Sequence, residues 1–138
     1  GYARALREAG MEPNDTLRIP ADNLETDGYA AVQQLLQRGD SFDAMFAGTD
    51  LIAIGAMRAL RDLGLKVPQD VSVVGFDDMP LAAYVSPGLT TVQQNAQRGG
   101  DALVEGIVDL IEGKAVQSGL MAPKLIVRES CGAKARSA

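Results

Sequence analysis

Histidine is absent from this chain of 138 residues, and cysteine occurs once, at Cys131. Without histidine there is no Ser-His-Asp or Cys-His nucleophile and no His-containing zinc site. A single cysteine cannot build an internal disulfide framework and fits a reducing compartment, so the expected location is the cytoplasm. Cys131 has neither His nor a basic cluster beside it, which argues against a reactive thiol. No apolar run approaches the about 18 residues that mark a membrane span, and no leader pattern opens the chain, so no membrane partner is expected. Runs of Lys and Arg are also missing. With 13 basic and 18 acidic residues the formal net charge is −5, which argues against a nucleic-acid-binding surface in this segment. The phosphate-loop, dinucleotide-fingerprint and nucleophile-elbow patterns do not occur, nor does a repeat of fixed period. An enzyme built from these residues would need carboxylates with a metal or a lysine.

What the sequence does have is alternation. Hydrophobic residues make up 46% of it, enough for a globular core in about one domain. Segments with apolar spacing near 3.6 alternate with short β-branched runs, the pattern of a parallel sheet flanked by helices, so the fold class is α/β. Helices are expected over residues 2–9, from 26 to about 38, over 50–63 and over 95–112, each followed by a stop glycine: Gly10, Gly39, Gly64 and Gly113. Thr26 is the expected cap of the second helix, and Tyr29, Val32, Leu35 and Leu36 its buried stripe. Strands are expected over residues 16–19, 43–47 (as a buried strand), 71–76, 90–93 and 125–127, with a frayed tail over 133–138. The chain opens on Gly1 rather than Met and reads as a fragment of a longer chain or a processed product.

Ligands of open parallel sheets bind beyond the C-terminal ends of the strands. Two acidic features fall at such ends: Thr49-Asp50 after the strand at 43–47, and Asp77-Asp78 after the strand at 71–76. Carboxylates there accept hydrogen bonds from paired hydroxyls, as a sugar or nucleoside offers, or hold Mg²⁺. Helix capping is the first reading of Thr49 and Asp50, and a polar turn explains Asp77-Asp78 as well as binding does.

Four stretches carry more than pattern: FDAMFAGTD at 42–50, IGAMRAL at 54–60, VPQDVSVVGFDD at 67–78 and LTTVQQ at 89–94. Their order and spacing are very similar to the lactose-/galactose-repressor (LacI–GalR) family over nearly the whole chain. The resemblance implies a periplasmic-binding-protein-like effector domain of two flavodoxin-like subdomains around a ligand cleft, joined by crossover strands. In its terms residues 1–90 are the C-terminal subdomain and 91–120 a crossover with the last helix of the N-terminal subdomain. Residues 121–138 are then the final crossover, strand and tail. The implied function is effector sensing in a transcription regulator, with a sugar or related metabolite as ligand and no cofactor or metal. Operator DNA would be read by a headpiece absent from these residues.

Asp77 matches the family's effector-binding aspartate and Gln94 a crossover glutamine that reaches the ligand. Thr49 falls where the family usually has Asn, Ser or Asp, and Asp50 matches the acidic helix start, capping first and ligand second. The family's stacking aromatic falls on Asn23, which has no ring face to offer a sugar. The implied dimer surface takes in Ile54, Arg58 and Tyr84. The implied strand order, 2-1-3-4-5, places a central strand upstream of Gly1. Its absence leaves a slot beside the strand at 43–47 and uncovers the face of the helix at 95–112, to be covered by a neighbouring copy. Two other readings stay open: a periplasmic solute receptor of the same fold, and an Mg²⁺-dependent phosphoryl-transfer domain using Asp50, Asp77 and Asp78.

Overall fold

The computed structural model describes residues 1–133. Its elements in chain order are α1 (Tyr2–Glu8), α2 (Glu25–Gln37), β1 (Ala44–Phe46), α3 (Asp50–Asp62), β2 (Ser72–Phe76), β3 (Thr90–Gln93), α4 (Ala96–Ile111) and β4 (Lys124–Ile126), with 3₁₀ turns at Asp15–Leu17 and Pro80–Ala83. Among the described residues the sheet has order β1-β2-β3-β4. β1 and β2 pair parallel, with Phe46 opposite Val74, and β2 and β3 pair parallel, with Phe76 opposite Val92. β4 returns antiparallel to β3. The expected tail lies, from residue 134 on, outside the described residues.

α3 is the centre of the core. Thr49 caps it by accepting a bond from the Ile52 amide, and Gly64, at φ +80°, lets the chain turn away after it. Ala53, Ala56, Ala59 and Leu60 are fully buried along it, against Val32 of α2, Val73 of β2 and Leu89. α2 and α3 approach closely because both present a glycine at the contact. A Cβ on Gly28 would run into the Ile52 carbonyl, and one on Gly55 into the Glu25 carbonyl. Backbone on both sides leaves nothing flexible to give way. Gly55→Ala is therefore expected to cost about 1–3 kcal/mol or more, as overpacking does. Urea unfolding checks this; an unchanged midpoint would mean the helices separate freely.

Behind β3 the chain is stitched by Ser130, which is fully buried. Its hydroxyl donates to the Val73 carbonyl at 2.6 Å and accepts from the Thr90 amide at 2.8 Å, tying the residues after β4 to both β2 and β3.

Several expectations need correction. Residues 16–19 form no strand. The Asn14 side chain accepts from the Thr16 amide at 3.0 Å and from its hydroxyl at 2.8 Å, and the Arg38 guanidinium donates to the Thr16 carbonyl. With the Thr16 amide and carbonyl both taken by side chains, Asp15–Leu17 folds as a 3₁₀ turn and residues 18–19 join no strand. Thr26 does not cap α2. The helix starts at Glu25 with Leu24 as its cap, because the Asp27 carboxylate reaches back to accept the Leu24 amide at 3.2 Å. β1 is an edge strand, not a buried one: Phe46 is 51% exposed, since β2 alone pairs with it among the described residues.

α4 departs furthest from a packed helix. Asn95 caps it, accepting from the Arg98 amide at 2.9 Å, yet none of its residues is buried. Leu103, Ile107, Leu110 and Ile111 are 71, 57, 64 and 81% exposed. In the segment leading back to β4, Met121 lies by Gly99 and Val116 by Gly106. Just past its end, Lys114 bonds Glu112 at 2.6 Å and Asp109 at 3.0 Å, and these two carboxylates, Glu112 foremost, raise its pKa.

Candidate functional site

β1, β2 and β3 run parallel, so their C-terminal ends share one edge of the sheet. Thr49 follows β1, Asp77 follows β2 and Gln94 follows β3. The Gln94 side-chain amide donates to Asp77 Oδ1 at 3.2 Å, and both residues are exposed. Thr49 is half-buried at its cap position. Asn23 is exposed just ahead of α2, whose first turn rests against α3 at Gly55. The edge is thus an open rim carrying a carboxylate acceptor, an amide that can donate or accept, and a hydroxyl. That set matches the paired hydroxyls of a polyol.

Asp50 is a different matter. It stands at the first helical position rather than at the cap, and it is fully buried. Oδ1 accepts from the Thr91 hydroxyl at 2.5 Å and Oδ2 from the Met79 amide at 2.7 Å. Both oxygens are spent inside the protein, so Asp50 is neither cap nor rim group; it ties α3 to β3 and to the chain after Asp78. Gly75 makes room for it, since a Cβ there would collide with the carboxylate.

The turn after β2 is strained and firmly held. Asp77 has φ 112° and Asp78 φ 54°, left-handed values that cost roughly 1–3 kcal/mol each and that Asp tolerates better than most residues. Three successive amides anchor it: Asp77 to the Val92 carbonyl at 2.9 Å, Asp78 to Thr91 Oγ1 at 3.3 Å, and Met79 to Asp50. The side chains diverge, Asp77 to the rim and Asp78 inward. There Asp78 Oδ1 pairs with Arg128 at 2.7 Å and Oδ2 accepts from the Gln93 amide at 2.8 Å.

A scan against family models matches the description "Periplasmic binding protein-like domain" over residues 1–131. The chain belongs to this family. Relatives within it are transcription regulators. The regulator CelR of Thermobifida fusca is 39% identical over 132 residues, covering 94% of this chain and 39% of its own length. In structure, a CelR–cellobiose complex superposes with TM-score 0.87 at 39% identity, over 94% of this chain and 40% of the other. A lac repressor dimer bound to operator and the anti-inducer ONPF superposes with TM-score 0.87 at 31% identity, over 95% of this chain and 39% of the other. The chain spans about 39% of the length of the curated relatives it matches. The expected fold, a periplasmic-binding-protein-like α/β domain similar to LacI-type effector domains, is therefore the one found.

Of the remaining sequence candidates, Ile54 and Arg58 lie on α3 and Tyr84 follows the 3₁₀ turn at Pro80–Ala83. A groove of about 550 Å³ runs between α3 and the segment 85–87, lined by Ile54, Met57, Leu65 and Val85 with Arg58 and Arg61 beside them. Ile54 packs partly on the core and partly lines this groove. Arg58 is exposed, 5.8 Å from the centre of the Tyr29 ring, and Tyr84 is 84% exposed.

Sequence reasoning missed Thr91, Gln93 and Arg128. For the first two a signal existed: alternation in β3 sets positions 91 and 93 on one face, toward Asp50 and Asp78. For Arg128 there was none, because it comes to Asp78 from 50 residues further along the chain.

Proposed function

We propose that this chain is the effector-sensing part of a LacI-type transcription regulator, a binding module and not an enzyme. One observation carries the reading: of the three acidic side chains at the strand ends, Asp77 alone is presented on the open rim, hydrogen-bonded to Gln94. Asp77 is the main effector contact and Gln94 its partner, with Thr49 and Asn23 flanking. The effector is a small polar molecule of the sugar class, because the rim offers hydroxyl-binding groups; Asn23 adds a hydrogen-bonding side chain there and no stacking face. Residues 1–90 act as one subdomain; 91–120 and 121–138 supply the crossovers and the helix of the other. Operator DNA is bound by a headpiece outside these residues, in the cytoplasm.

The phosphoryl-transfer reading fares worse. Asp50 and Asp78 each spend both oxygens on protein donors, so the three carboxylates do not converge on one ion. A solute receptor of the same fold shares the rim chemistry, but the relatives at hand are regulators. Thermal unfolding with cellobiose, a panel of related sugars and Mg²⁺ separates the readings. A sugar at about a hundredfold its Kd is expected to add about 2.7 kcal/mol of stability. Stabilisation by Mg²⁺ and by no sugar would contradict the proposal.

A regulator of palindromic sites needs a two-fold partner. The self-complementary surface is the α3 groove, with Ile54 and Arg58 on one helix face and Tyr84 beside it. Ile54→Glu is expected to halve the sedimenting mass of the chain; an unchanged mass would remove Ile54 from the interface.

A further inference from the structure

We infer that Arg128 is a positioning residue for the effector site, acting on Asp77 through Asp78; the inference rests on the reading of Asp77 as the effector contact. Arg128 and Asp78 are both largely buried, with side chains 18 and 12% exposed, and their ion pair is 2.7 Å long. A second guanidinium nitrogen of Arg128 donates to the Leu89 carbonyl at 2.7 Å, and its backbone amide donates to Thr90 Oγ1 at 2.9 Å. The guanidinium is thus fixed to the start of β3 before it reaches Asp78. Gln93, at the end of β3, holds the other Asp78 oxygen. Asp78 is therefore gripped at once from β3 and from the chain just past β4.

That grip matters for the neighbouring residue. Asp77 and Asp78 form one left-handed turn, and a carboxylate gripped at Asp78 fixes the direction in which Asp77 leaves it. Released, the turn relaxes toward ordinary φ values, and Asp77 swings away from Gln94. A planar, two-pronged guanidinium suits this task, since it bonds a carbonyl and a carboxylate in fixed relation. Arg128 touches no rim group itself, so its influence on binding is indirect.

The test uses the full chain, first without ligand. In Arg128→Met, amide hydrogen exchange at Asp77 and Met79 is expected to speed up by about tenfold or more, the opening equilibrium of one lost anchor. The Gln94 side-chain amide signal is expected to move in ¹H–¹⁵N spectra, while exchange at Ala56 and Leu60 in α3 stays as in the parent. Arg128→Lys, which keeps the charge, is expected to recover much of the loss. Should Arg128→Met not fold, Asp78→Asn is read for the same local signature. Signals of Asp77 and Gln94 unmoved in the variant, or equal acceleration throughout α3, would overturn the inference. Cellobiose is then titrated calorimetrically: Arg128→Met is expected to weaken it, with no further loss once Asp77→Asn is present. Cellobiose binding that ignores Asp77→Asn would sink the effector reading, whereas the ligand-free exchange pattern judges the grip of Arg128 by itself.

Discussion

Asp50→Ala is expected to destabilise the chain by about 2–5 kcal/mol. The substitution removes a buried acceptor and leaves the Met79 amide and the Thr91 hydroxyl without their partner, at about 1–3 kcal/mol for each unsatisfied donor. It also deletes a negative charge from the first turn of α3, where the helix dipole favours one, and opens a void against Gly75. The hydroxyl of Thr91 can rotate toward another acceptor, which sets the lower end of the range; the amide cannot. Asp50→Asn keeps an acceptor and should lose less. Chemical unfolding of the three proteins measures this. A loss in Asp50→Ala below about 1 kcal/mol would mean that the carboxylate does not hold α3 to β3.

The second large effect concerns α4. Burying Leu103, Ile107, Leu110 and Ile111 is worth on the order of 6–12 kcal/mol, and within this chain all four are mostly exposed. Among the described residues β1 has an open edge as well, with Phe46 exposed on it. Such surfaces associate, so the chain is expected to sediment as an oligomer in which a second copy covers α4. Replacing Leu103 and Ile107 by Lys should halve the sedimenting mass, and combining these changes with Ile54→Glu should give monomers, because the α3 groove is a separate surface. A monomeric parent chain that binds no hydrophobic dye would contradict this.

How much of this could be read in the sequence depended on where the determinants lie. α3 and β2 were legible because local periodicity and a long-range core agree there: the apolar face with Ile54, Met57 and Leu60 is the face that packs. The stop glycines were legible because Gly10, Gly39, Gly64 and Gly113 all take φ near +75 to +80°. The residues at 16–19 misled because apolar alternation does not show whether a partner strand exists; Asn14 and Arg38 then decide the matter with side chains. Asp50 misled in a different way. Its place before an apolar run signals a cap, and nothing local shows that Thr91, 41 residues on, will take the carboxylate inward. The exposure of the α4 face followed from the resemblance, not from periodicity, since an amphipathic pattern looks the same whether or not its face is covered.

The central claim is that Asp77, set on the rim by the strained turn after β2, is the main contact for a polyhydroxyl effector. Calorimetric titration of the parent chain and of Asp77→Asn, with cellobiose and a panel of related sugars, tests it most directly. A charged acceptor bond contributes roughly 1.5–3 kcal/mol, so the sugar that binds the parent should bind Asp77→Asn about ten- to a hundredfold more weakly, while the unfolding midpoint of the two proteins without ligand stays close. An equal Kd for both proteins would remove Asp77 from the site.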